Sequence, residues 1–153
     1  MKIRELTLLD IPELVNIDRE ASAHPWPEKF FRDSFKENYY SWGLTINHDI
    51  VGFIIILSSQ IECHVMNIAV KPACQRKGYA KKLLLYAIDF AKKKGIQSVL
   101  LEVRHSNKPA INLYEQLGAV NIGTRKNYYA NDTKREDGWL FKIETIIPED
   151  GGY

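Results

Sequence analysis

The sequence predicts one mixed α/β domain, and three observations carry that prediction. An apolar strand at Cys63–Val70 precedes a long amphipathic helix and then a second strand rich in branched residues, Ser98–Arg104. A helix between two such strands makes a right-handed crossover that sets them side by side and parallel. Upstream, WGLTINHD and IVGFIIILSSQ read as an antiparallel hairpin turning at Asn47–Asp49. Downstream, a helix and two further strands complete the order β-α-α-β-β-β-α-β-α-β-β. With 153 residues, the chain can bury one core without disulfides or metals, over an expected domain of residues 1–147. The stretch PEDGGY, residues 148–153, reads as a flexible, solvated tail.

Each element has a local cause. Lys2–Leu6 is a strand. A helix is expected over Ile11–Ala23, where Asp10 and Glu13 supply a variant of the capping box. Its apolar side, Ile11, Leu14 and Val15, gives way to a polar one at Asp18. HPWP (His24–Pro27) ends it, since a residue before proline avoids helical angles. A second helix is expected at Glu28–Lys36, with Phe30, Phe31 and Phe35 partly inward. In the crossover helix, Ala80, Leu83, Leu84, Ala87, Ile88 and Ala91 recur on one face and Gly95 supplies the stop. Asn107–Leu117 is a helix by its stripe of Ala110, Leu113, Tyr114 and Leu117. Strands near Ala119–Tyr129 and Trp139–Thr145 close the chain.

Composition narrows the function classes. A net charge of +2 is too small to argue for direct nucleic-acid binding. The longest apolar stretch, Ile50–Ser58, is far shorter than a membrane span, and MKIRELTLLD has no signal-peptide pattern, so a cytoplasmic protein without a membrane partner is expected. Cys63 and Cys74 match no zinc or redox spacing and read as reduced thiols; no metal is expected.

The junction CQRKGYA (Cys74–Ala80) joins the first parallel strand to the crossover helix. Up to four amides at a helix start lack intrahelical partners, and the helix dipole adds partial positive charge. Gly78 lets backbone approach a ligand closely, and Arg76 and Lys77 add full charges, a combination that suits a pyrophosphate. The pattern is neither a Walker loop nor a G-x-G-x-x-G turn. Taken alone, the stretch also fits an ordinary helix cap with solvated cations.

Gln75-x-x-Gly78-x-Ala80, after a strand ending NIAV, resembles the acetyl-CoA signature of the Gcn5-related N-acetyltransferases (GNAT). LEVR (Leu101–Arg104), Ser106–Asn107, AINLYEQLG (Ala110–Gly118), RKNYY (Arg125–Tyr129) and HPWPEKFF (His24–Phe31) extend the likeness over almost the whole chain. Together they resemble the RimI family of bacterial ribosomal-protein alanine N-acetyltransferases. The resemblance implies the GNAT fold: a mixed, mostly antiparallel sheet of about seven strands, splayed at a central parallel pair and flanked by about four helices. It also implies transfer of acetyl from the co-substrate acetyl-CoA to the amino-terminal alanine of protein eighteen of the small ribosomal subunit. Two positions depart from the pattern. Ala119 stands where an aromatic commonly follows LG, and Gly138 where an alanine is usual; neither is expected to touch the chemistry.

Glu102 is the candidate general base. It shares a face with Leu100 and Arg104 near the C-terminal end of its strand, where open α/β sheets bind ligands. Tyr114, on the following helix, is the candidate general acid for the coenzyme sulfur. The resemblance implies both roles; the residues alone rather suggest that Glu102 pairs with Arg104 and Tyr114 fills a core stripe. For acetyl-CoA the resemblance implies Ile68, Ala69 and Val70, in a strand where this family has a bulge that frees an amide for the oxyanion. It adds Arg76, Lys77, Gly78, Tyr79, Ala80 and Lys81 at the cradle and Asn107 on the coenzyme arm. Trp26, Tyr128 and Tyr129 are the expected walls of the groove that receives the amine. Glu28, Asp33 and Glu37 offer negative charge to a basic ribosomal tail. A GNAT enzyme for a small amine would share the coenzyme motif but need a closed, acid-lined pocket. A module that only binds CoA would have no use for both Glu102 and Tyr114.

Overall fold

Ile54, Ile55 and Ile56 are fully buried at consecutive positions, so the strand that carries them is covered on both faces. The computed structural model describes residues 1–130 and 135–145, and the expected domain boundary at 147 and the 148–153 tail lie outside them. The elements are β1 (Lys2–Glu5), α1 (Ile11–Ala21), α2 (Glu28–Asp33), β2 (Tyr39–Ile46), β3 (Asp49–Ser58), β4 (Glu62–Val70), α3 (Tyr79–Lys93), β5 (Ser98–Arg104), α4 (Lys108–Gln116), β6 (Val120–Ala130) and β7 (Arg135–Glu144). They build one sheet in the order β1-β2-β3-β4-β5-β7-β6. Every neighbouring pair is antiparallel except β4 and β5, which the α3 crossover makes parallel as expected.

Two apolar clusters sandwich the sheet. On one face, Ile54, Ile56, Leu101 and Phe141 pack with Leu83, Leu84 and Ala87 of α3 and with Ile111 and Tyr114 of α4. On the other, Phe53, Ile55 and Ala69 pack with Leu14 and Ile17 of α1 and Phe31 of α2. The alternation of neighbouring isoleucines between clusters is the period-2 geometry of a strand.

Three local expectations are corrected. The capping box lies one turn earlier than expected. Thr7 caps a 3₁₀ turn at Leu8–Asp10, and the Asp10 carboxylate accepts the Thr7 N–H at 2.8 Å and a bidentate pair from Arg4 at 2.9 and 3.0 Å. Asp10 therefore makes no side-chain cap for α1, and Glu13 has no part in the box. Asp18 is buried rather than the start of a polar side. Finally, β7 begins at Arg135, not near Trp139, because its charged first residues pair with the end of β6 (Ala130↔Arg135, Tyr129↔Glu136).

Candidate active site

The parallel pairing of β4 and β5 stops early. It runs from Glu62↔Ser98 to Val65↔Leu101, after which both strands continue without pairing to each other. On the opposite edge of β4, Ile55 pairs with Asn67 and Ile56 with Val65, which leaves Met66 as a bulged residue. A bulge bends the strand that carries it. The sheet thus forks at the level of Met66 and Glu102, with Ile68, Ala69 and Val70 on one prong and Glu102–Arg104 on the other.

The expected cradle closes the far end of the first prong. The Gln75 side chain donates to the Val70 carbonyl at 3.0 Å, folding the loop back onto the strand end. Arg76 (φ 64°) and Gly78 (φ 81°) both adopt left-handed angles. For an arginine that conformation costs on the order of 1 kcal/mol. Gly78 is the N-cap of α3 and offers no side-chain acceptor to the first-turn amides. A Cβ built on Gly78 meets no atom within 4 Å, so the space above the turn is open. Amides at Tyr79, Ala80 and Lys81, with the exposed cations Arg76, Lys77 and Lys81, fit a diphosphate group. Asn107 caps α4 by accepting the Ala110 N–H at 3.3 Å, the structural role its sequence position allows.

Glu102 and Tyr114 approach the fork from opposite faces. Tyr114 is buried beside Phe141 in the cluster that contains Leu101 and Val103, whereas Glu102, between those two residues on β5, faces the other way. In a continuous sheet the backbone would separate them; here the strands have parted. Burial, with a contribution from Tyr129, pushes the Tyr114 phenol up to about 12. Glu102 does not pair with Arg104. Its carboxylate lies 3.5 Å from Arg125, and Arg104 instead pairs with Glu136 at 3.3 Å.

Tyr129 ties these groups together. It is half-buried, and desolvation first, then Glu102 and Tyr128, push its phenol up to about 12 against the pull of Arg104 and Arg125. Arg104 lies 4.5 Å over its ring, and Arg125 lies 4.9 Å over the ring of Tyr128. The two tyrosines meet edge to face at 5.1 Å. A bulge between Arg125 and Tyr129 in β6 sets them there. It is held by the Asn127 N–H on Asp137 at 2.9 Å and by Arg135 on the carbonyls of Asn127 and Tyr128 at 2.7 and 3.1 Å. Gly138 lies against the same ring: a Cβ there would come within 2.8 Å of Tyr129.

Trp26 is held apart from the tyrosine pair, in the cluster of α1 and α2, against Phe31 at 5.2 Å and Phe30 at 5.9 Å. Its link to the fork runs through Asp18 and Asn67, neither of which the sequence reading singled out for the site. Of the acids expected to attract a basic tail, Glu28 and Asp33 are already paired with Arg32 and Lys36. Among the described residues no group of three His, Cys, Asp or Glu side chains is placed to hold a metal ion, and no helix is long and apolar enough to cross a membrane.

Residues 11–119 match the family model of the acetyltransferase (GNAT) family. The chain belongs to the GNAT family. It is 40% identical over 141 residues to the [ribosomal protein bS18]-alanine N-acetyltransferase of Escherichia coli strain K12, covering 92% of this chain and 95% of that one. The crystal structure of the ribosomal-protein-S18-alanine N-acetyltransferase from Escherichia coli superposes with a TM-score of 0.92 at 36% identity, over 99% of this chain and 98% of the other. Arabidopsis thaliana NAA60 in complex with acetyl-CoA shares the fold, with a TM-score of 0.82 at 19% identity over 94% and 97% of the two chains. This GNAT protein is an acetyl-CoA-dependent N-acetyltransferase. This chain has a forked sheet, an α3 start without a side-chain cap and an open turn at Gly78.

Proposed function

We propose that this GNAT enzyme acetylates the α-amino group of an amino-terminal alanine, with protein eighteen of the small ribosomal subunit as its target. In this reading Glu102 is the general base and Tyr114 the acid that faces the leaving sulfur. The observation that carries it is the gathering of Glu102, Tyr114 and Tyr129 at the fork, in a chain so similar to an enzyme of that activity. Acetyl-CoA supplies the thioester carbonyl. Ile68, Ala69 and Val70 would line its acetyl end and the Gly78 turn its pyrophosphate, with Asn107 on the arm.

Glu102 has a modest task. An α-amino group has a pKa near 8, so roughly a tenth is already neutral at pH 7. A carboxylate, directly or through one water, suffices to accept the remaining proton. Tyr114 contributes chiefly as a donor. Its phenol, raised to about 12 by burial, stays protonated at every working pH. Complete transfer to a thiolate whose acid has a pKa near 8.5 runs uphill by about 3.5 units, roughly 5 kcal/mol. Its O–H therefore stabilises the charge developing on sulfur; the one proton the thiol needs is the one lost by the ammonium formed on the attacking amine, passed through Tyr114 so that the phenol ends the cycle protonated.

A panel of peptides differing only in the first residue tests the reading. Alanine and serine termini should be acetylated, and leucine or phenylalanine termini should be at least about tenfold slower in kcat/KM. Equal rates for large and small first residues, or turnover of a free small amine in preference to every peptide, would replace it with a small-amine acetyltransferase.

A further inference from the structure

Asp18 is a buried acid that the chemistry above leaves unused. It stands on α1 among Leu14, Val15 and Ile17, with 2% of its surface exposed. One oxygen, Oδ2, accepts the backbone N–H of Trp26 at 2.8 Å and the Asn67 side-chain amide at 3.3 Å. Three elements therefore meet on a single atom: α1, the segment carrying Trp26, and β4 at the residue that follows the Met66 bulge. Burial raises the Asp18 pKa against the pull of both hydrogen bonds, which come from neutral donors. A leucine at this place in the apolar stripe would avoid the desolvation cost. What the acid supplies instead is direction: the apolar packing that Trp26 shares with Ala69 is non-directional, whereas two donors converging on one oxygen fix an alignment.

We propose that Asp18 is a positioning residue that registers the Trp26 wall against β4 at the fork, and so sets where an arriving amino terminus meets the acetyl donor. The inference rests on the peptide reading above. Loss of the shared acceptor lets wall and strand move relative to each other, while the Gly78 turn, beyond the end of β4, keeps the Gln75 hydrogen bond to Val70. Misplacing a nucleophile by about 1 Å can cost on the order of a hundredfold in rate.

Two variants of the full chain separate positioning from plain stability. Asp18→Asn keeps a carbonyl oxygen able to accept both hydrogen bonds, whereas Asp18→Leu keeps the volume and removes the acceptor. Asp18→Leu is expected to lower kcat/KM for an alanine-terminated peptide by about tenfold or more, with the acetyl-CoA Kd within about twofold of the parent. Asp18→Asn is expected to stay within about threefold on both counts. A parallel loss of acetyl-CoA affinity, or an unchanged peptide kcat/KM in Asp18→Leu, would overturn the proposal. A second readout needs no turnover. In amide-resolved NMR spectra, the Trp26 backbone and Asn67 side-chain resonances should shift together in Asp18→Leu and stay near the parent in Asp18→Asn. Movement of one without the other would overturn the coupling. A parent enzyme that acetylates no peptide would defeat the functional reading alone, and the resonances would still decide whether Asp18 couples wall to strand.

Discussion

The Arg125 guanidinium lies 3.5 Å from the Glu102 carboxylate and 4.9 Å over the Tyr128 ring, so one cation joins the proposed base to the proposed peptide wall. Both partners of the pair are partly exposed, at 54% and 34%. Such a pair contributes under about 1 kcal/mol and opens readily. Arg125→Gln should therefore leave thermal stability within about 2 °C and turnover within about fivefold. Glu102→Gln should lower kcat by on the order of a hundredfold while acetyl-CoA affinity is kept. Steady-state kinetics and calorimetry on both variants check this, and parent-like turnover in Glu102→Gln would remove the base from the account.

Gly78 and Gly95 form a matched pair for testing the cradle. Both adopt left-handed angles, at φ 81° and 72°, and a Cβ on either meets nothing within 4 Å. A valine at either position should cost a similar amount of stability, about 1–2 kcal/mol. Only Gly78→Val should weaken acetyl-CoA, by about tenfold or more, because only there does the new side chain face the diphosphate. Calorimetric titration of the two folded variants decides the matter; equal acetyl-CoA affinities would dissociate the turn from coenzyme binding.

Tyr114 carries a pH signature. Its folded pKa of about 12 lies above the ordinary phenol value of about 10. The stabilising contribution of the neutral phenol is complete below pH 10 and is lost as the pH rises through 12. The melting temperature of the parent should fall over that window more steeply than that of Tyr114→Phe. Tyr129, also raised to about 12, keeps part of the slope in the variant. Turnover should show no alkaline loss from Tyr114 below about pH 11, whereas Tyr114→Phe should be slower at every pH by about tenfold or more. A fall in parent activity that vanishes in Tyr114→Phe, centred near pH 9, would contradict the buried neutral phenol.

Much of this architecture was legible in the sequence because it is local. The Leu83–Leu84–Ala87–Ile88–Ala91 stripe specifies α3, Gly78 marks its start, and the branched run at 98–104 marks the strand it returns to. The misread parts depend on partners distant in sequence. Asp18 falls three and four residues after Val15 and Leu14, the spacing of the buried stripe, yet the donors that satisfy it there are the Trp26 N–H beyond the helix and Asn67, forty-nine positions away. Glu102 and Arg104 share a strand face, so a pairing between them is a fair local reading. It fails because Arg104 is claimed by Glu136, on a charged stretch whose strand character comes only from pairing with β6. The closeness of Gly138 to the Tyr129 ring was hidden for the same reason, since nothing near it in sequence announces that ring.

The central claim is that the fork delivers acetyl to an α-amine and not to a side-chain amine. A lysine ammonium is harder to deprotonate than a terminal one by about 2.4 pKa units, roughly 3 kcal/mol, which a carboxylate base is poorly suited to supply. The most direct test is tandem mass spectrometry of one peptide, beginning Ala-Arg and containing an internal lysine, after incubation with the enzyme and acetyl-CoA. The account predicts a single acetyl group on the terminal amine and no reaction when that amine is blocked in advance. Acetylation of the lysine in the blocked peptide, or faster acetylation of free spermidine, would contradict it.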